Sequence, residues 1–330
     1  MDQQEQLDAW IRELSRLLPL LVGEQQAAEA MNAWDEYSAQ REVVALLYGP
    51  YDAGKSTLLK RLLVENGTPV PGWLTISGRL ETFETSAVVS GGMRYVDSPG
   101  SATANARHTD LIHTALTLAD ALVLVLPPQL LTTQAEQVLS VLDGGFYDDA
   151  HRTLFPDGAV TVVVTQSDTM GVDPDSGPEL FRARCEEKRE ELRAQLARAA
   201  HATPAVNIHV VSADPDQRVG PAPAPTAADY LTGQGWDEIH ALRADLRQLP
   251  ARRDELRRAA TQRYWAWATA QALAAADNVI QELRQAAQQA ARQNQHIANL
   301  MVELEALDRN QRIALRNAVQ DELRAIADKA

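Results

Sequence analysis

Apolar residues recur at intervals of three and four from the start of the chain. Leu7, Trp10, Ile11, Leu14, Leu17, Leu18 and Leu21 fall on one face, so residues 1–40 read as helix. From residue 42 the texture changes to short, bare apolar runs separated by amphipathic stretches. The runs are VVALLYG from Val43, MRYVDSPG from Met93, ALVLVLPP from Ala121, AVTVVVTQ from Ala159 and VNIHVVSA from Val206. Strands that are apolar on both faces must be covered on both, which predicts an α/β fold with a mostly parallel central sheet flanked by helices. Pro and Gly punctuate 171–178 and 220–226, where no periodicity survives; the second stretch reads as a mobile surface loop.

The last block differs again. After Pro250 there is neither proline nor glycine, and Ala, Gln, Arg, Glu and Leu dominate. Helical periodicity runs unbroken from Ala251 to about Asp308, roughly 85 Å at 1.5 Å per residue. A helix of that length is not held by propensity alone and needs a packing partner. The spacing predicts a hairpin at Asp308-Arg-Asn-Gln that folds Asn310–Lys329 back, giving an α-helical bundle of N- and C-terminal helices. The domains are then 1–41, a helical segment; 42–249, the α/β domain; and 250–330, the helical arm. Tyr264, Trp265 and Trp267 form an aromatic knot, expected to pack on the N-terminal helix near Trp10. Arg252, Arg253, Arg257 and Arg258, interleaved with Asp254 and Glu255, read as a solvated, salt-bridged face.

Composition narrows the partners. The 330 residues carry a net charge of −14, with 45% hydrophobic and 23% charged residues, as ordinary globular chains do. The charge is uneven: residues 251–330 hold 12 Lys and Arg against 10 Asp and Glu, and the remaining 19 against 35 leave −16 on residues 1–250. Sequence-independent nucleic-acid binding needs clustered cations, so no nucleic acid is expected. One cysteine, Cys185, excludes an intramolecular disulfide and suits a reducing compartment. The acidic N-terminus does not read as a signal peptide, and no apolar run approaches a membrane span. A cytoplasmic location is expected.

The chemistry starts at Gly49-Pro-Tyr51-Asp52-Ala53-Gly54-Lys55-Ser56-Thr57, a G-x-x-x-x-G-K-[ST] loop between a predicted strand and a predicted helix. Glycines let successive backbone N–H groups and the helix N-terminus face phosphates. Lys55 would neutralise phosphate oxygens, and Ser56 would place a hydroxyl on Mg²⁺. Three further stations each close a strand. Asp97-Ser-Pro-Gly100 offers a carboxylate for the metal and the Gly100 amide for a γ-phosphate. Thr165-Gln166-Ser-Asp168 places a carboxylate where guanine, but not adenine, presents two N–H donors. Ser212-Ala213 puts backbone beside the base oxygen. Together they select GTP and GDP, with Mg²⁺, as the ligands.

These stations resemble the GTPase domain of the translation-factor-like class, and more closely that of bacterial dynamin-like proteins. The likeness covers roughly residues 42–249 and rests on G-P-Y-D-A-G-K-S at 49–56, D-S-P-G at 97–100, LLTTQAEQVLSVL at 130–142 and E-T-S-A-V at 84–88. The flanking helices look like that family's neck bundle. The resemblance implies a GTP-hydrolysing switch, slow as a monomer, that assembles with itself or a related GTPase. It implies Thr85 as the switch residue for Mg²⁺ and the attacking water, with Thr82 and Ser86 as alternatives, beside Lys55 and Asp52 in the catalytic loop. Three departures stand out. Gln166 replaces the usual Lys, Asp52 replaces a small polar residue, and the chain is short for a full stalk with a membrane-binding tip. Ser101 is short for orienting water, so a second subunit or an arginine from Arg79, Arg94 or Arg107 would have to complete the site. Two other readings are a non-catalytic GTP/GDP-binding scaffold presenting its helical arm, and an Era-like ribosome-associated GTPase.

Overall fold

The computed structural model describes residues 3–74, 86–97, 106–131, 141–142, 155–197, 205–222, 224–230 and 235–327. Two compact units divide the chain, Met1–Gln271 and Ala272–Ala330.

The first unit is built on a six-stranded sheet. Its strands are β1 (Val43–Tyr48), β2 (Ser86–Ser90), β3 (Met93–Asp97), β4 (Ala121–Leu126), β5 (Val160–Val164) and β6 (Val206–Val210), in the order β2-β3-β1-β4-β5-β6. Only β2 runs antiparallel; β3, β1, β4, β5 and β6 are mutually parallel. The bare apolar runs predict the five parallel strands of this sheet; β2 lies outside those runs, in the stretch that begins E-T-S-A-V. Every residue of β1, β4 and β5 is buried, as strands covered on both faces must be.

Helices α1 (Gln3–Val22) and α2 (Glu24–Ser38) precede the sheet, and α3 (Lys55–Glu65), α4 (Ala106–Thr117), α5 (Pro178–Leu196) and α6 (Ile239–Leu246) lie between and after its strands. One core takes in the sheet and the inner faces of α3, α5 and α6. The stretch read as a single N-terminal helix is two, because Gly23 adopts φ 89, a left-handed value that ends one helix and starts the next.

Helix α7 runs from Arg253 to Ala327, 75 residues, and its first turns to Gln271 belong to the first unit. There Ala260, Tyr264, Trp265 and Ala268 share a second apolar cluster with Leu14 and Leu18 of α1 and Ala27 and Tyr37 of α2. The aromatic knot packs on the N-terminal helices, as expected, with its ring contacts made to Trp34 of α2, whose ring lies 5.7 Å from Tyr264 and 5.4 Å from Trp265. The Tyr264 hydroxyl donates to the Ala30 carbonyl at 2.6 Å.

Two expectations are corrected here. No hairpin forms at Asp308: α7 continues straight through it, and an i,i+4 pair of Arg312 Nε with Asp308 Oδ2 at 3.0 Å spans the expected turn. With no Gly or Pro on either side, nothing there breaks the backbone ladder. Nor is the whole arginine run a solvated face: Arg252 pairs with Glu255 at 2.7 Å and Arg253 with Asp254 at 3.4 Å at the surface, as expected, but Arg257 does not. Arg257 forks onto buried Asp120, Nε to Oδ1 at 3.1 Å and Nη2 to Oδ2 at 3.0 Å, and donates to the carbonyls of Tyr37, Gln40 and Glu42.

Candidate functional site

All four motif stations reach the carboxyl ends of parallel strands, where open α/β sheets form their ligand crevice. The phosphate loop follows β1, Asp97 closes β3, the 165–168 segment follows β5 and Ser212-Ala213 follows β6.

The loop's glycines are fixed by space and by backbone. A Cβ on residue 49 would fall 2.1 Å from the Val125 carbonyl oxygen, so β1 and β4 pass too closely there for any side chain. Gly54 caps α3 with φ 80, which leaves the helix N-terminus free of a blocking side chain. Asp52 also takes a left-handed φ, 62, and Tyr51 is 43% exposed beside it. Ala53 is fully buried, and its carbonyl accepts from Thr165 Oγ1 at 2.7 Å.

Lys55 is 7% exposed and curls back over the loop, its ammonium donating to the carbonyls of Gly49 at 3.1 Å and Pro50 at 2.9 Å. Burial pulls its pKa below the ordinary lysine value, while the charges of Asp97 and Asp52 pull it back up. Ser56 Oγ donates to Asp97 Oδ2 at 2.8 Å. The other oxygen, Asp97 Oδ1, is buried and has no hydrogen-bond partner among the described residues. Burial raises the Asp97 pKa, and the Ser56 bond and Lys55 lower it in turn. A buried, half-satisfied carboxylate beside a serine hydroxyl fits the few-ligand site of Mg²⁺, which keeps most of its waters. Among the described residues no group of three or more His, Cys, Asp and Glu forms an all-protein cage.

An open cavity of about 390 Å³ joins the phosphate loop to the last two stations; Gly54, Thr57, Thr165, Gln166, Asp168, Ser212 and Ala213 line it. Asp168 Oδ1 accepts from Ser212 Oγ at 2.7 Å and Oδ2 from the Asp216 amide at 3.2 Å. Each carboxylate oxygen carries two lone pairs, so both keep one for a donor in the cavity. Gln166, in left-handed backbone with φ 55, donates from Nε2 to the Asp52 carbonyl at 3.1 Å and so ties the 165–168 segment to the 49–57 loop.

Thr85, Thr82, Arg79, Gly100 and Ser101 lie outside the described residues, as does the side chain of Arg107. Ser86 opens β2 and is the residue paired across the strands with Asp97. Arg94 is not at this edge: it lines a separate cavity with Tyr37, Gln40 and Val44.

Several residues escaped the motif search. Asp214 accepts from the amides of Val219 at 3.0 Å and Gly220 at 2.8 Å, folding the 214–220 turn into the cavity wall. Lys60, on α3, donates to the carbonyls of Gly220 at 3.0 Å and Ala222 at 2.6 Å. The start of the Pro-rich stretch is thus fastened to α3, contrary to the expected mobile loop. Arg61, one residue on, pairs with Asp237 at 2.7 Å, and the Asp237 carbonyl accepts from the Ser212 amide at 3.2 Å. One signal was available: adjacent cations inside an apolar helix need buried acceptors. The acceptors lie some 160 to 176 residues away.

No protein-family model and no curated protein matches the chain. Solved structures with a similar course include a bacterial selenocysteine-specific elongation factor, EF-Sec, at 18% identity and TM-score 0.37, covering 64% of this chain but 29% of that one. A dimerization-deficient mutant of Toc33 from Arabidopsis thaliana aligns at 15% identity and TM-score 0.43, covering 68% and 91% of the two chains. A GTP-binding protein from Sulfolobus solfataricus in complex with GDP aligns at 15% and 0.36, covering 76% and 68%. At such distance the function of this chain has to be read from its own residues.

Proposed function

We propose that the chain binds GTP and GDP with Mg²⁺ and hydrolyses GTP, acting as a dynamin-like switch whose nucleotide state governs assembly with itself or a related GTPase. One observation carries the reading: a single open crevice is lined at one end by a glycine-shaped phosphate loop with a buried lysine, and at the other by a carboxylate with free lone pairs.

Lys55 exchanges its two loop carbonyls for the phosphate oxygens of the incoming nucleotide, a stronger, charge-assisted contact. Ser56 and Asp97, with Thr85, would hold Mg²⁺, which when bound would neutralise phosphate charge. Asp168 accepts from the guanine N1–H and exocyclic amine, leaving adenine with an unpaid desolvation of the carboxylate. Gln166 links base recognition to the Asp52 turn of the phosphate loop. Asp52 and Lys55 act on the γ-phosphate side, and a second subunit completes the positioning of water, which makes the isolated monomer slow.

Calorimetry with Mg²⁺ is expected to give heat for GDP and GTP and none for ATP; no heat for either guanine nucleotide on folded protein overturns the reading. Phosphate release lost in Lys55→Ala marks an enzyme, whereas tight nucleotide retention without turnover marks a scaffold. Assembly through the nucleotide domain is expected to raise turnover per subunit with protein concentration, and a flat profile removes it.

A further inference from the structure

The second unit presents something the nucleotide site does not explain. Between Leu273 and Val319, thirteen large apolar side chains of α7 are exposed, Leu283 at 64% and Leu304 at 71% among them. They are ordered. Counting heptads from Leu273, positions a are Leu273, Ile280, Ala287, Asn294 and Met301, and positions d are Ala276, Leu283, Ala290, Ile297 and Leu304. A 3.5-residue apolar repeat of this length is the seam of a coiled coil. Its flanks are unlike. Positions e include Asp277, Arg284, Glu305 and Arg312, whereas positions g, from Val279 through Ala286, Gln293 and Leu300 to Leu307, carry no charge.

Both the charges and the volumes choose a partner. In a parallel pair each e position meets a g position, so none of those four charges finds an opposite charge. Ala276, Ala287 and Ala290 would also each face their own copy, leaving three hollow layers. In an antiparallel pair centred between Gln295 and His296, e meets e. Asp277 then faces Arg312 of the second copy, and Arg284 faces Glu305 of the second copy, each contact made twice by symmetry. The same register sets Ala287 against Leu304, Ala290 against Met301 and, on the g flank, Ala286 against Leu307, so each of these alanines meets a large side chain. Asp308 and Gln311, at the next a and d positions, face Leu283 and Ile280 of the second copy, and Arg312 pairs with Asp308 within its own chain.

We infer that residues 273–318 bind the same segment of a second copy of this chain in antiparallel register, making the protein a homodimer through α7 whether or not nucleotide is bound. The inference does not depend on the proposed GTPase activity, so the two fail separately.

The test uses the full-length, nucleotide-free protein. Light scattering is expected to give twice the mass of one chain; a monomer at every soluble concentration overturns the inference. Spin labels at Gln281→Cys and Gln295→Cys then read the direction, since buried Cys185 takes no label. Antiparallel pairing separates the 281 labels by about 43 Å along the axis and brings the 295 labels to within about 20 Å, from the 1.5 Å rise and the usual interaxial spacing. Short distances at both sites mean a parallel pair, and no short distance at 295 means association elsewhere; either overturns it. Arg284→Glu is expected to weaken the dimer about tenfold, and Arg284→Glu with Glu305→Arg to restore it. An unchanged affinity in the single variant overturns the register.

Discussion

Two carboxylates are buried in the same sheet, one at each end of its parallel strands, and they are treated oppositely. Asp120, at the amino end of β4, is fully buried, and every lone pair has work. It accepts from the Val44 amide at 2.8 Å, the Tyr37 hydroxyl at 2.5 Å and both arms of the Arg257 fork. Burial and the neighbouring carboxylate hold the Tyr37 phenol protonated far above its ordinary range, so it stays a donor. Asp97, at the carboxyl end of β3, is 8% exposed, yet one oxygen has a single donor and the other none among the described residues. A saturated buried charge is a structural joint. A half-saturated one leaves folding energy unclaimed until a cation arrives.

The comparison breaks most visibly at Arg257. Arg257→Ala leaves Asp120 buried and unpaired and frees three backbone carbonyls, so urea unfolding is expected to show a loss of about 3 kcal/mol. Guanine-nucleotide binding to the part that remains folded should be unaltered. At the other end, Lys55→Ala is expected to lower nucleotide affinity about a hundredfold by calorimetry, near 3 kcal/mol on binding, with only a small change in the unfolding midpoint. Asp168→Asn is expected to cut the preference for GDP over ADP about tenfold, read as a ratio of dissociation constants.

Asp97→Asn sharpens the contrast because it should stabilise the empty protein. Burial raises the Asp97 pKa above its ordinary 3.8 in the folded chain. The stability this group contributes is complete below that ordinary value and is lost as pH rises through the folded one. The asparagine variant escapes that loss. It is expected to unfold at a temperature a few degrees higher at neutral pH, with no gain below pH about 3.8, and to lose Mg²⁺-dependent tightening of nucleotide binding. A variant less stable than the parent at pH 7 would place Asp97 with the joints. The smallest expected effect is at Cys185. Burial lifts its thiol to about 11, so alkylation at pH 8 should be negligible until the protein is unfolded.

The legible part of the molecule was its local chemistry. The phosphate loop, Asp97 and Asp168 announce themselves because each needs fixed residue types within a few positions of a strand end, and bare apolar runs betray the strands. The Asp120 joint was opaque because its members are 76 to 137 residues apart, and Arg257 looks like any surface arginine in a charged helix. Asp214 and Lys60 were missed for the same reason. The hairpin expected at Asp308 does not form because a long helix's need for a packing partner does not by itself end it; termination needs a residue that disrupts the ladder.

Short-range order thus belonged largely to the sequence: the five parallel strands, the helical character of both ends of the chain, and the glycine-shaped turn at 49–57. Tertiary structure decided which buried charges are satisfied and which are left open, because that depends on donors brought from distant parts of the chain. It also decided that α7 runs on with its apolar stripe bare, since periodicity marks a face for burial without saying what covers it.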